Sequence, residues 1–227
     1  MEDFLSWYNT FAPEWTPGTH FDYSNVAFGA LGQLLAKKMN TDYGSLLNQL
    51  ITTPLGMKDT TTNLSSEQMT RKVSSYWING DLIKNDWDMG FEDPSGGIYS
   101  SMRDLLVFTE SQLQQSGSAL RTNQIAHASY IYKYGLENLL HLDKDRENEA
   151  GLKFDAVALG WMVNFPNDSL PLQLDKDGCV NGVFTVVQLT PTEHIGVISL
   201  TNSLKGMPFS TMNDNLQTIV RYIIRAQ

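Results

Sequence analysis

The chain is poor in the features that mark several large protein classes. Of its 227 residues only one is cysteine, Cys179, which excludes an internal disulfide and any CxxC-type zinc site. No apolar run approaches the roughly 18 residues that would make a bilayer-spanning helix. Basic side chains are few: 16 Lys and Arg stand against 25 Asp and Glu, a net charge of −9. They are also scattered, so there is neither the basic stripe of a nucleic-acid binder nor a polybasic membrane patch. The opening Met1-Glu2-Asp3-Phe4 lacks the basic and apolar regions of a signal peptide. The four histidines, His20, His127, His141 and His194, show no metal-ligand spacing. Asp143, Asp145, Glu147 and Glu149 alternate like a calcium loop. That loop would need Gly where Asn148 stands and Glu where Phe154 stands, so a solvated charged loop over 141–151 is the better reading. No phosphate-binding glycine loop is present.

What remains is an ordinary globular composition, 41% hydrophobic and 18% charged, long enough for one large domain with a sizeable core. Residues 10–23, rich in Pro, Gly and Thr, read as an irregular loop. A helix follows, capped by Ser24 or Asn25, with Ala27, Leu31, Leu34 and Leu35 on one face. A second carries Leu46, Leu47, Leu50 and Ile51, stopped by Pro54 and Gly56. The span 58–97 holds turn residues and the isolated aromatics Tyr76, Trp77 and Trp87. Ser101 to Asp104 then fits a Ser-x-x-Asp helix start before Leu105, Leu106, Phe108 and Leu113, and 122–134 reads as helix. From about 156 the pattern turns to strands: Ala156–Val163, Leu172–Leu174, Val183–Leu189 and Ile195–Leu200. Thr190-Pro191-Thr192-Glu193 reads as the connection between the last two. A closing helix aligns Met212, Leu216, Ile219 and Ile223. The layout is α+β: one domain over 1–227, mainly helical over 1–155, with antiparallel strands and a covering helix over 156–227.

Two short stretches could carry chemistry. Tyr23-Ser24-Asn25 sits where a loop enters a helix, so its side chains can project into a cleft. Tyr23 is a poor base alone, but a neighbouring lysine can depress its pKa enough to shuttle a proton to or from a serine hydroxyl. Asn25 can hydrogen-bond a substrate amide or hold that lysine. The plainer alternative is a buried tyrosine beside a helix cap. Lys176-Asp177-Gly178 lies at the boundary of two β-rich runs. There Lys176 can attract a substrate carboxylate, Gly178 can let a substrate backbone approach the strand, and the Cys179 N–H can help bind an oxyanion. Asp-Lys-Asp-Gly is equally good hairpin-turn chemistry.

Order and surroundings join these signals. Pro17-Gly18-Thr19 before Tyr23-Ser24-Asn25, and then Pro54-Leu55-Gly56-Met57-Lys58-Asp59-Thr60, resemble the second motif region of the penicillin-recognising serine hydrolases: class C β-lactamases, DD-peptidases and related esterases. Ser95-Gly96-Gly97-Ile98-Tyr99-Ser100-Ser101 with Asp104-Leu105 is similar to that family's Gly-Gly loop and following helix. Gly160-Trp161, Lys176-Asp177-Gly178 and Gly196-Val197 through Leu200-Thr201-Asn202 resemble its third motif and closing strands. The resemblance implies a β-lactamase/transpeptidase-like fold, an antiparallel sheet flanked by helices beside a mainly helical lobe. It implies acyl-enzyme chemistry on a β-lactam, a D-Ala-D-Ala peptide or an ester, with no cofactor and no metal. Under it, Tyr23 is the catalytic tyrosine and Asn25 the motif asparagine. Lys176 and Gly178 match the lysine and glycine of the Lys-Thr-Gly motif, and Cys179 the residue whose N–H serves the oxyanion hole. A full-length protein carrying a signal would be periplasmic or extracytoplasmic.

The sequence departs from this pattern twice. Asp177 replaces the usual threonine, and a carboxylate there weakens binding of an anionic substrate group. Also, no serine has a lysine three residues later, and no Gly-x-Ser-x-Gly elbow substitutes for that arrangement. Only 22 residues precede Tyr23, so the resemblance implies that the N-terminal strands and nucleophile helix are missing and that the chain alone is inactive. The alternative is a non-catalytic remnant that binds peptidoglycan peptides or a protein through the old cleft. Missing strands would leave an edge at Ile195–Leu200 open to another chain, which predicts a dimer or higher oligomer.

Overall fold

The computed structural model describes residues 2–140, 154–203, 205 and 209–226, so the charged loop carrying Asp143, Asp145, Glu147 and Glu149 lies outside the described residues. Helices are α1 (Glu2–Tyr8), α2 (Asn25–Lys38), α3 (Tyr43–Leu47), α4 (Thr53–Leu55), α5 (Ser66–Arg71), α6 (Asp93–Gly96), α7 (Met102–Leu113), α8 (Gly117–His127) and α9 (Phe209–Ala226). Strands are β1 (His20–Asp22), β2 (Ile131–Tyr132), β3 (Asn138–Leu140), β4 (Ala156–Val157), β5 (Met162–Asn164), β6 (Gln173–Val180), β7 (Val183–Thr190) and β8 (Ile195–Thr201). A six-stranded antiparallel sheet runs β2-β4-β5-β6-β7-β8, and β1 pairs in parallel with β3. The α+β reading stands.

Both faces of the sheet are covered. On one, Val163, Leu174, Val187 and Leu189 pack with Trp161, and Phe108 and Leu113 of α7 close over them. On the other, Phe184 and Val186 meet Met212 and Leu216 of α9, while Leu170 and Ile195 meet Val220. The α7 helix rides very close to β8: a Cβ on Gly196 would sit 2.3 Å from Thr109 Cγ2.

Several sequence expectations are corrected here. The α2 leucines are not core: Leu31, Leu34 and Leu35 are 46–52% exposed, and the buried residues are Gly29, Ala30, Gly32 and Ala36. Small residues let α2 lie against α6, where a Cβ on Gly32 would fall 2.3 Å from Pro94 Cβ. In α9 the buried row is Met212, Leu216 and Val220, with Ile219 and Ile223 turned outward. The expected helix over 122–134 begins earlier, at Gly117, and stops at His127 before β2. Pro54 sits inside α4, and Gly56 at φ 70° ends it. The loop 10–23 contains β1. The strand expected over Ala156–Val163 is two, β4 and β5, turned at Gly160 with φ 83°.

Lys176-Asp177-Gly178 is no turn. It lies inside β6, and the hairpin to β7 turns at Asn181-Gly182, φ 51° and 71°, the positive-φ pair that suits the twist of flanking strands. The expected Thr190–Glu193 connection is present as a short 3-10 turn ending at His194, φ 53°.

Asp104 fastens the middle of the chain. Ser101 caps α7 by accepting the Asp104 N–H at 3.2 Å. The buried Asp104 carboxylate instead accepts from Asp59 N at 2.7 Å and Thr60 Oγ1 at 2.8 Å. One side chain thereby ties the segment after α4 to the helix that covers the sheet.

Candidate active site

Ser24 starts α2 in extended backbone, its hydroxyl accepting from Ala27 N at 3.1 Å. The cap thus falls on Ser24, which leaves Tyr23 outside the helix and Asn25 as its first residue. Tyr23 is not buried but 42% exposed. Across from it, β6 runs out beyond its neighbour. Its pairing with β5 covers only Gln173 to Asp175, whereas its pairing with β7 continues to Val180. From Lys176 onward, β6 therefore shows an edge that no described strand covers on the β5 side. Gly178 lies on that edge, with no atom of another described residue, its chain neighbours apart, within 4 Å of where a Cβ would be.

Lys176 brings the two regions together. Its Nζ lies 5.2 Å from the centroid of the Tyr23 ring, near enough for the ammonium to act on the ring's charge. The same Nζ donates to the Asp177 carbonyl oxygen and stands 3.7 Å from Asp177 Oδ1.

A cavity of about 470 Å³ beside this cluster is lined by Asn25, Cys179 and Val180, and by Trp87, Asp88, Phe91 and Glu92. Gly96 packs against its rim: a Cβ there would lie 3.1 Å from Val180 Cγ2. A Cβ on Gly97 would strike Asp93 Oδ1 at 2.3 Å. Thus Asn25 of the Tyr-Ser-Asn turn and Cys179 and Val180 at the end of β6 line one cavity, with Gly96 packed against Val180. A larger cavity, about 610 Å³, lies under Asp42, Asn48, Thr52 and Thr62 and shares no lining residue with this cleft.

Behind Lys176 the strand holds one further group that sequence reasoning missed. Asp175 accepts from Asn164 Nδ2 at 2.7 Å. Burial, together with the charge of Asp177, pushes its carboxyl up to about 7. Burial and then Asp177 also push the Cys179 thiol up, which makes it a poor thiolate nucleophile. Nothing in the strand pattern announces Asp175. Its environment is created by β5 and β7. Elsewhere Tyr99 donates to Asp86 at 2.7 Å, and burial and that carboxylate raise its hydroxyl to about 12. Among the described residues no group of three or more His, Cys, Asp or Glu is placed to hold a metal ion. No helix among them is long and apolar enough to cross a membrane.

Chemically, the cluster can hold a proton-carrying hydroxyl next to a cation, beside an open strand edge whose N–H groups can face a substrate. A beta-lactamase family profile matches residues 1–220. The chain is 28% identical over 90% of its length to a D-alanyl-D-alanine-carboxypeptidase/endopeptidase AmpH of Escherichia coli, and covers 51% of it. It is 22% identical to a beta-lactamase of Pseudomonas fluorescens, covering 59% of that protein. The chain therefore spans somewhat over half the length of the curated relatives it matches. Among solved structures, a Yersinia pestis beta-lactamase/D-alanine carboxypeptidase complexed with citrate superimposes with a TM-score of 0.81 at 27% identity, over 98% of this chain and 61% of that one. A Sulfitobacter beta-lactamase shares the fold at 0.78 and 18% identity, over 100% of this chain and 65% of the other. Sequence match, fold and the order of the three site segments lead to one conclusion: the chain belongs to the beta-lactamase family.

Proposed function

We propose that these residues form the proton-transfer and substrate-binding half of a serine acyl-transfer site. The observation that carries the reading is the placement of Lys176 Nζ over Tyr23, 5.2 Å from its ring centroid. The two belong to different parts of the chain, and only the fold brings them together. In this reading Tyr23, held near an ammonium, relays the proton of a serine hydroxyl. Asn25 orients the substrate amide. The exposed edge at Gly178 receives the substrate backbone, and the Cys179 N–H donates to the developing oxyanion. Substrates are D-alanyl-D-alanine peptides, β-lactams or esters, and catalysis would take place outside the cytoplasm.

The attacking serine is not among these 227 residues in a Ser-x-x-Lys setting. We therefore assign binding, not turnover, to this chain by itself. That same absence favours a second reading, a non-catalytic module that holds peptidoglycan-type peptides. Saturation-transfer NMR with N-acetyl-D-alanyl-D-alanine, paired with intact-mass spectrometry after incubation with a penicillin, tests the assignment. The expected result is a peptide signal that Lys176→Ala removes, with no mass change. A stable gain of one acyl group would place a nucleophile within the chain and overturn the assignment of roles. Absence of any peptide signal would remove the site itself.

A further inference from the structure

Resting on that reading, we propose that Asp177 makes this site select substrates whose terminal group is an ester or amide over those ending in a free carboxylate. The cation at this end of β6 is Lys176, the group that would receive a substrate carboxylate. In this protein its ammonium already has an internal counter-ion: Asp177 Oδ1 at 3.7 Å, with the Asp177 carbonyl accepting from the same Nζ. Both side chains are about one third exposed (33% and 30%), so the pair is within reach of solvent and of a ligand at the open strand edge. An incoming carboxylate must either displace Asp177 from Lys176 or sit beside a second negative charge. Both options cost free energy, and neither arises for an uncharged ester or amide.

The surroundings add to this. Among the described residues, the adjoining cavity is lined by Asp88 and Glu92 and by no Lys or Arg. The charge of Asp177 is felt on its own strand as well: it contributes to raising both Asp175 and Cys179 above their ordinary values. An ester or amide can still accept hydrogen bonds through its carbonyl at the open edge by Gly178, so losing the carboxylate does not cost the substrate its anchoring to the strand. Selection works by repulsion of one substrate form and not by a new attraction to the other.

The test is a matched pair of ligands, N-acetyl-D-alanyl-D-alanine and its C-terminal amide, titrated into the intact chain by NMR or calorimetry. The amide should bind about threefold tighter or better, the scale of one partly exposed charge contact. Asp177→Thr and the near-isosteric Asp177→Asn should each strengthen acid binding by a similar factor and leave the amide within about twofold. Agreement between the two variants guards against a folding artefact in either one. Acid binding as tight as or tighter than amide in the unaltered chain, with Lys176→Ala still abolishing both, overturns the selectivity and leaves the site assignment standing. Failure of both ligands to bind the unaltered chain and both variants overturns the site assignment, and the selectivity falls with it.

Discussion

Two helices of this molecule carry comparable apolar rows and meet different fates. In α9, Met212, Leu216 and Val220 are buried to 6% exposure or less against the sheet. In α2, Leu31, Leu34 and Leu35 remain about half exposed, and the helix makes its close contact through glycine and alanine instead. Hydrophobic periodicity states what a helix can bury, but the neighbour decides what it does bury. The sharpest way to break this comparison is a pair of truncations read by urea denaturation. Leu216→Ala should cost about 2–5 kcal/mol, the range for a buried leucine. Leu34→Ala should cost less than about 1 kcal/mol, because its side chain is already half in water. Equal costs would mean that the α2 face is covered in solution.

A second contrast sets buried against exposed carboxylates that hold backbone. Asp104 is 4% exposed and serves two donors, Asp59 N and Thr60 Oγ1, whereas Asp42 caps α3 at the surface through Ser45. Asp104→Ala leaves two donors without their acceptor in a partly buried setting, and should destabilise by about 2–3 kcal/mol. Asp42→Ala should cost clearly less, since water can replace the cap. The same denaturation series reads both.

These contrasts also show what the sequence could disclose. The order of the three site segments was legible, because motif residues and turn chemistry are local. So was the Thr190–Glu193 connection, where Pro fixes a turn. The strand state of Lys176-Asp177-Gly178 was not. Asp and Gly there mimic a turn, and the choice was settled by seven consecutive pairings with β7 and by the better turn at Asn181-Gly182. The burial of Gly32 and not Leu31 was equally hidden, since it depends on Pro94, which lies far along the chain. Asp175 read as the first residue of an Asp-Lys-Asp-Gly turn. Its altered titration comes from burial and from Asp177, neither visible as spacing.

Asp175 supplies the next contrast, between the two sides of β6. Its folded carboxyl is raised from 3.8 to about 7, so between those values the folded state holds a proton that the unfolded state has released. Stability should therefore fall as pH rises from about 4 to about 7, by at most roughly 1.4 kcal/mol per unit, and level off above. Asp175→Asn should flatten that slope while keeping a group able to meet Asn164. Thermal melts across this range check it, and an unchanged slope in the variant would assign the titration elsewhere.

The smallest expected effect concerns the two ends of the sheet. At one end β2 is two residues long and pairs with β4. At the other β8 runs seven residues and pairs with β7 only, among the described residues. A long uncovered strand presents N–H and C=O groups that a second chain can use, and short edges avoid this. Light scattering across a concentration series should show a dimer or larger species that dissociates on dilution. Leu200 is 36% exposed near the end of β8, and its replacement by lysine places a charge where two copies would meet. Leu200→Lys should shift the equilibrium toward monomer by a few-fold without a comparable loss of folding stability, since a charge on an edge discourages pairing while remaining solvated. A monomer at every concentration in the unaltered chain would mean that the edge is already protected, which the comparison of β2 with β8 does not anticipate.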